Sequence, residues 1–495
     1  MNRELAPGEV QLFFLVAVLV HVFPLVLADY LYIDDIWRAQ FARSEWKTNG
    51  RILTEWLYQG LSLTRGVPNI FPLPLLISAA VISFAFKSMV FSLFEKPTLV
   101  TCFVVLPLWY CPLFLQNLSY QYDGPGMVLG LAATLFAVTY DNESTIRRIV
   151  VSGALICAGL SFYQIYINVY VGLCCVMFVR VVEENKDLKK VCAWGAEQFV
   201  KLVLGVIFYW LSAQQFMTDE RKALLPLSLE SVDKVVVSVK MVGEKISLFY
   251  SEGSTGLIWL LLTLAFVGFV QLLISVLRAG RPPLHNAALF VLCLCVVVVL
   301  AVSIPGISLV FYYFDDNARL LLGFSSALVF VFFLSYKALD SVHRRATIVL
   351  AIPLVVMLSL SYAYGRVVSA QKLLGTSVAQ MLTYDLASNE KLKGVDRFYL
   401  TMTYQDHAWL PAATGTTHLI PVLEYILNIN FLLSAEMVQR MGVAEVVHME
   451  NKDYLSVVDE SKVTPVVNSR FYRVYVIGRT GYIRANTIRT SEHFN

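Results

Sequence analysis

Charge is scarce in this chain. Only 15% of its 495 residues are Asp, Glu, Lys or Arg, and the formal net charge is +3. So small an excess gives no reason to expect nucleic acid as a partner. Nucleotide signatures are missing too. There is no Walker A loop, no dinucleotide fingerprint and no G-x-S-x-G where a site could use it. A nucleotide-activated substrate is therefore not expected. The histidines, His21, His285, His343, His407, His418, His448 and His493, show no ligand spacing. His21 lies inside an apolar run and reads as a satisfied core residue. The cysteines also lie in or beside apolar runs and read as small buried hydrophobes. Cys174-Cys175 and Cys293-x-Cys295 have no partner ligands at zinc spacing, so no metal site is expected. Nothing requires a disulfide. Internal repeats, low-complexity stretches and inverted pairs of broken helices, the marks of many transporters, are absent as well.

What the chain does have is apolar length. It is 57% hydrophobic, with a mean hydropathy of +0.64. Apolar stretches of about 18 residues or more signal membrane-spanning helices. Eleven spans are expected, at 11–28, 69–93, 98–115, 124–140, 147–161, 163–181, 193–215, 255–277, 285–304, 318–337 and 347–365. No small-residue cleavage site follows the first, so a retained helix is expected there. The run from Ile149 to Val179 is long for one span and short for two. Its flanks decide. Arg147 and Arg148 precede it, and Arg180, Lys186, Lys189 and Lys190 follow it. If basic flanks stay in the cytoplasm, the chain must cross and return, with a turn at Ser161-Phe162-Tyr163-Gln164. Polar backbone at that depth must line a cavity or be buried in protein.

With that turn, Lys87, Lys96, Arg278, Arg281, Lys337, Arg344 and Arg345 also fall in cytoplasmic loops. The amino terminus is then cytoplasmic. Residues 29–66, 116–123, 218–253, 305–317 and everything after 365 lie outside. The fold class expected is a mainly α-helical polytopic membrane protein with a small carboxy-terminal α+β domain on the outer face. Residues 1–365 form the membrane domain, including an outer interfacial loop at 29–66. Residues 366–495, where apolar runs shorten and charge rises, form the outer domain. In it the pattern predicts helices near 370–388 and 420–440, strands at 396–404 and 443–449, and a hairpin at 470–485 turning at Gly478-Arg479-Thr480-Gly481.

Polar groups collect on the outer side. Asp34, Asp35, Arg38, Arg51, Asp123, Gln164, Asp315, Asp316 and Arg319 all fall at or near that interface. Residues 34–46 read as a short helix lying on the membrane, with Asp34 and Arg38 on one face. Trp37, Phe41 and Trp46 would anchor it. Residues 52–63 repeat the pattern after Asn49-Gly50-Arg51. Each group has a plainer reading. Asp34, Asp35 and Asp123 could cap helices. Tyr163 and its neighbours could belong to an aromatic belt, and Arg319 could snorkel to the headgroups.

The ordered stretches YIDDIWR, NGR, NLSYQYDGPGM, SFYQIYIN and DDNARLLLGF span residues 30–325. In this order and topology the chain resembles the Gtr-type O-antigen glucosyltransferases, serotype-converting enzymes of the Gram-negative inner membrane. The resemblance implies a C-type glycosyltransferase architecture. It implies an undecaprenyl-phosphate-linked sugar, usually glucose, as donor, and an O-antigen sugar of lipopolysaccharide as acceptor in the periplasm. A flippase and a synthase for the donor are implied as functional partners. It places acidic residues in the first outer loop, where Asp34 and Asp35 stand.

Elementary chemistry agrees with that placement. A lipid phosphate-sugar holds its scissile bond at headgroup height. One carboxylate acts as general base on the acceptor hydroxyl, and arginine stabilises the departing phosphate. Asp35 is the first candidate for the base, with Asp34 positioning the acceptor, or the reverse. Arg319 is the first candidate for the phosphate, then Arg38 and Arg51. Asp123, Tyr163, Gln164 and Asp316 complete the expected substrate-binding set. No cofactor is required, although a divalent ion between the carboxylates is compatible. A transferase of the same fold acting on lipid A or protein, or a flippase for lipid-linked sugars, is the alternative.

Overall fold

The computed structural model describes residues 3–218, 223–226, 228–251, 253–404 and 409–488. Long apolar segments become helices because a backbone in lipid must satisfy its own hydrogen bonds. In chain order the helices are α1 Pro7–Ala28, α2 Asp35–Phe41, α3 Ile52–Ser62, α4 Leu73–Leu93, α5 Leu99–Val105, α6 Pro107–Tyr110, α7 Phe114–Ser119, α8 Asp123–Thr139, α9 Thr145–Phe162, α10 Tyr166–Asn185 and α11 Leu188–Leu211. They continue with α12 Leu229–Ser247, α13 Thr255–Leu277, α14 Pro283–Ser303, α15 Gly323–Val342, α16 Ala351–Ser388, α17 Thr414–Leu419, α18 Val422–Leu427, α19 Ala435–Gln439 and α20 Asn451–Val457.

Among the described residues, nine helices are long and apolar enough to cross a membrane. They are α1, α4, α9, α10, α11, α13, α14, α15 and α16. This is a polytopic membrane protein. The hairpin at 147–181 is there: α9 stops at Phe162 and α10 starts at Tyr166. Two of the eleven expected spans are shorter. Residues 98–115 break into α5, α6 and α7, with Pro107 opening α6 and removing a backbone donor. α8 is a 17-residue helix that ends at Thr139. Both lie in the middle of the bundle, and nearly every residue from 98 to 128 is buried. Irregular backbone is thus enclosed in protein, as the membrane demands. The span expected at 318–337 begins instead at Gly323, because Ala318–Leu320 is a 3-10 turn.

Helix pairs approach closely where small residues meet. A Cβ at Gly268 of α13 would run into the backbone of Leu334 on α15. Two cysteines, Cys192 and Cys295, are exposed on the bundle surface rather than buried, and all eight are free. His21 is buried in α1 and stacks on Tyr110 at 4.8 Å. Neither of its ring nitrogens finds a hydrogen-bond partner among the described residues, so it is a core histidine but not a satisfied one.

The carboxy-terminal region carries a five-stranded sheet in the order β2-β1-β5-β4-β3. Its strands are β1 Arg397–Thr401, β2 Val446–His448, β3 Val467–Asn468, β4 Tyr472–Ile477 and β5 Thr480–Ala485. β1 runs parallel to β2 and β5, and β4 and β5 form the expected hairpin, with Gly478 at φ 63° in its turn. The helices expected at 347–365 and 370–388 are one, α16, because no breaker separates them. The helix expected at 420–440 is two, α18 and α19, since Asn428 takes a left-handed conformation and ends the first. Val378, Leu382 and Leu386 at the far end of α16 pack with Phe398, Leu400 and Ile483 of the sheet.

Candidate active site at one end of the bundle

The loop after α1 and the break before α8 meet at one end of the bundle. The interfacial helix expected at 34–46 ends early, at Phe41, where Ala42 turns left-handed at φ 51°. The chain then folds back, and the amide of Val67 donates to the carbonyl of Ala42. Trp46 is therefore not a membrane anchor. It is fully buried, stacks on Tyr58 at 5.3 Å and donates Nε1–H to Asp123 Oδ1 at 3.0 Å. Gly50, at φ 70°, makes the turn that delivers Arg51. Gly126 of α8 leaves room for Thr54 of α3, which a Cβ would strike.

Asp123 is the centre of the cluster. Arg51 Nη1 donates to its Oδ1 at 3.0 Å, and Arg38 Nη1 lies 2.8 Å from its Oδ2. The Arg38 contact is an ion pair without hydrogen-bond alignment. Asp123 and Arg38 are both buried. Arg38 also lies 3.6 Å from Asp34, the expected i,i+4 pair, and over the rings of Trp37 and Trp46 at 4.9 and 5.2 Å. A buried carboxylate flanked by two guanidiniums is a structural keystone, since removing it strands two charges.

The adjacent aspartates have different surroundings. The Asp34 side chain is 48% exposed. Asp35, the first candidate for the base on sequence grounds, is 0% exposed. Its Oδ2 accepts the amides of Gln121 at 2.7 Å and Tyr32 at 3.2 Å, and its Oδ1 accepts the amide of Tyr122 at 3.2 Å. Burial pushes its carboxyl up to about 8, helped by the negative Asp123; the Gln121 amide and Arg38 pull it down. This residue ties two loops together through their backbones.

Arg319 stands across from this cluster, on the loop between α14 and α15. Its amide donates to Gln116 Oε1 at 2.7 Å, and its Nη1 donates to Tyr120 Oη at 2.6 Å. It lies over the Tyr120 ring at 5.3 Å. Among the described residues no carboxylate lies within 4 Å of its guanidinium. Tyr120, which packs edge-on against Tyr32 at 4.7 Å, feels the charges of both Arg319 and Asp34.

The other expected residues support this frame. Tyr163 is buried beneath Arg51, whose guanidinium is 4.5 Å from the ring centroid, and its hydroxyl donates to the Arg319 carbonyl at 3.3 Å. Gln164 donates to the Asn49 carbonyl at 2.7 Å and to Tyr209 Oη at 2.8 Å. Asp316 pairs with Lys245 at 3.3 Å, and its carbonyl accepts the Tyr425 hydroxyl. Gln116, Tyr120, Gln121, Lys245 and Tyr425 were not singled out from the sequence, where Trp46 reads as a membrane anchor. Tyr120 and Gln121 lie within the quoted stretch NLSYQYDGPGM, directly before the carboxylate that drew notice. Lys245 and Tyr425 carry no local signal, because the fold brings them from distant segments.

These features define a polytopic membrane protein whose polar residues gather at one end of its bundle, with a buried ion cluster beside an arginine that has no carboxylate partner among the described residues. The chain belongs to the Glucosyl transferase GtrII family, whose model matches residues 23–336. It is also similar to an uncharacterised 55.3 kDa protein in the gtrB 5′ region of Salmonella phage P22. The two are 23% identical over 196 residues, which is 40% of each chain. The chain thus spans about two-fifths of that relative's length. No solved structure matches it.

Proposed function

We propose that this protein is a glycosyltransferase that moves glucose from undecaprenyl phosphate to a sugar of the O-antigen, at the periplasmic face of a bacterial inner membrane. Family membership supports sugar transfer, and the phage relative beside gtrB supports a serotype-converting context. A C-type architecture, a cytoplasmic amino terminus, and a flippase and a synthase as functional partners belong to the same reading. The observation that carries the chemistry is that an exposed carboxylate, Asp34, and a guanidinium with no carboxylate partner among the described residues, Arg319, both act on one side chain, Tyr120.

Asp34 is the general base in this reading, since Asp35 has no exposed surface for a hydroxyl to reach. The Asp34 carboxylate takes the proton of the acceptor hydroxyl as that oxygen bonds to the anomeric carbon. The bond from that carbon to the phosphate oxygen breaks, and the electron pair leaves with the phosphate. Arg319 stabilises the departing charge. Direct displacement inverts the anomeric centre. Asp35 is a positioning residue that orients the start of α2, and a divalent ion is not needed.

The test uses purified protein, synthetic polyprenyl-phosphate glucose and lipopolysaccharide from an unmodified strain. Asp34→Asn should lower turnover by about 10²-fold or more at unchanged folded yield. Near-normal turnover would exclude Asp34 as the base. Linkage analysis of the product identifies the acceptor position, and parallel reactions with other polyprenyl-phosphate sugars test the donor: faster transfer of a sugar other than glucose would overturn that part of the reading.

A further inference from the structure

The chain between α11 and α13 holds a 19-residue helix, α12, at the same end of the bundle as the site. With 100° between successive residues, α12 has three sides. One faces the protein and carries the buried Ser231, Ser238 and Val242. A second carries Leu229, Val232, Val236 and Val239, all exposed. The third carries Glu230, Asp233, Lys234, Lys240 and Glu244, with the exposed Val237 among them. A four-residue aliphatic stripe facing water would be unusual for a folded protein.

The surroundings say what covers it. α12 packs on the 3-10 turn Gly306–Val310, which follows directly from α14 as that helix leaves the membrane. Val302 and Val310, at either end of that exit, are exposed. The amide of Leu225 donates to the carbonyl of Val310, tying the segment before α12 to the same turn. Trp210 and Leu211 at the end of α11, and Trp259 at the start of α13, are exposed at this end too. Such tryptophans mark a membrane–water interface. The aliphatic stripe is therefore continuous with the lipid-facing surface of the bundle.

We propose that α12 lies in the bilayer interface, with Leu229, Val232, Val236 and Val239 among the upper acyl chains and its charged side in water. Its occupant is the lipid bilayer itself. The six charges of α12 cancel, three acidic and three basic. Seating therefore comes from apolar burial and does not depend on anionic headgroups. The placement matters to the site. Lys245, near the end of α12, pairs with Asp316 at 3.3 Å and lies over the Tyr425 ring at 5.2 Å. A helix held by lipid thereby steadies the loop that carries Arg319. The proposal stands on the helix geometry and does not depend on the chemistry assigned to the site.

The test is spin labelling of the full-length protein in nanodiscs of zwitterionic phosphatidylcholine. Cys192→Ser and Cys295→Ser remove the exposed thiols, and the unlabelled-position background is subtracted. Single cysteines replace Val232, Val236 and Val239, or Asp233, Lys240 and Glu244. Labels on the first set should relax with oxygen far more than with a water-soluble nickel chelate, and labels on the second set should do the opposite. Adding anionic lipid should leave both patterns unchanged. Nickel access along the aliphatic stripe would overturn the proposal. So would strong immobilisation with neither reagent reaching it, which would mean that a protein surface covers the stripe.

Discussion

The two sides of the site are built differently. On one side, the buried side chains of 30–51 join those of 116–123 in a lattice. Asp35 holds three amides, Asp123 holds two guanidiniums and an indole, and the tyrosines between them are buried. On the other, residues 311–319 are mostly half-exposed, with Lys245 and Tyr425 on Asp316, Asn428 on Asn317, and Gln116, Tyr120 and Tyr163 on Arg319. The first side presents Asp34 beside a buried polar frame, while the second presents Arg319 from a more exposed loop that leans on that frame through Gln116 and Tyr120. Under the proposed function, such a division would let one side fix a reacting group while the other meets a bulky donor.

The contrast can be broken first at Asp123. Asp123→Ala leaves the buried Arg38 and the half-buried Arg51 without their carboxylate. The expected loss is about 3–5 kcal/mol, the usual cost of breaking a buried pair, seen as a much lower melting temperature in detergent. A melting temperature near that of the native chain would mean that the lattice is not what holds this side.

Asp35→Asn is next. An amide cannot accept on both sides, so at least one backbone donor loses its partner, at about 1–3 kcal/mol. The pH dependence sharpens this. The folded carboxyl titrates near 8, well above the unfolded value of about 3.9. The folded state then binds more protons than the unfolded state between those values. The contribution of Asp35 to stability is complete below about 4 and is lost as pH rises through about 8. The gap in melting temperature between native chain and variant should narrow from pH 5 to pH 9. A gap that stays constant would contradict the raised carboxyl.

On the looser side, Arg319→Lys keeps the charge but loses the planar fork. Donor turnover should fall about tenfold, with Arg319→Ala lower still and little change in melting temperature. A lysine variant with native kinetics would mean that Arg319 only snorkels. The smallest effect belongs to Lys245→Ala. A partly exposed pair contributes about 0–1 kcal/mol, so its melting temperature should barely move. A large drop would show the second side to be as tightly built as the first.

Some of this was legible in the chain. The turn at 161–164 followed from arginines and lysines on both flanks, because charge cannot be left in lipid at low cost. The gathering of acids and arginines at one end followed from the same alternation. The difference between Asp34 and Asp35 did not, since neighbouring identical letters carry no sign of which one will be buried. That is settled by the amides of Gln121 and Tyr122, more than eighty positions away. The early end of α2 was hidden for a similar reason. Nothing at Ala42 signals a turn, and the fold imposes it through Val67. Trp46 looked like an anchor because an exposed and a buried tryptophan read alike until a partner such as Asp123 is in place.

α16 has a consequence for reach. Its 38 residues run unbroken from Ala351 to Ser388, about 57 Å at about 1.5 Å per residue. The hydrocarbon layer is only about 30 Å thick. Nearly half of the helix stands clear of it as a mast, and the five-stranded sheet is fastened to its top through Val378, Leu382 and Leu386. The one proline of α16, Pro353, lies near its start, and Gly365 within it packs against Pro24 of α1. The sheet rides on α16. Its elevation above the membrane is set by the length of one helix, and a long substrate held there would be measured from a fixed height.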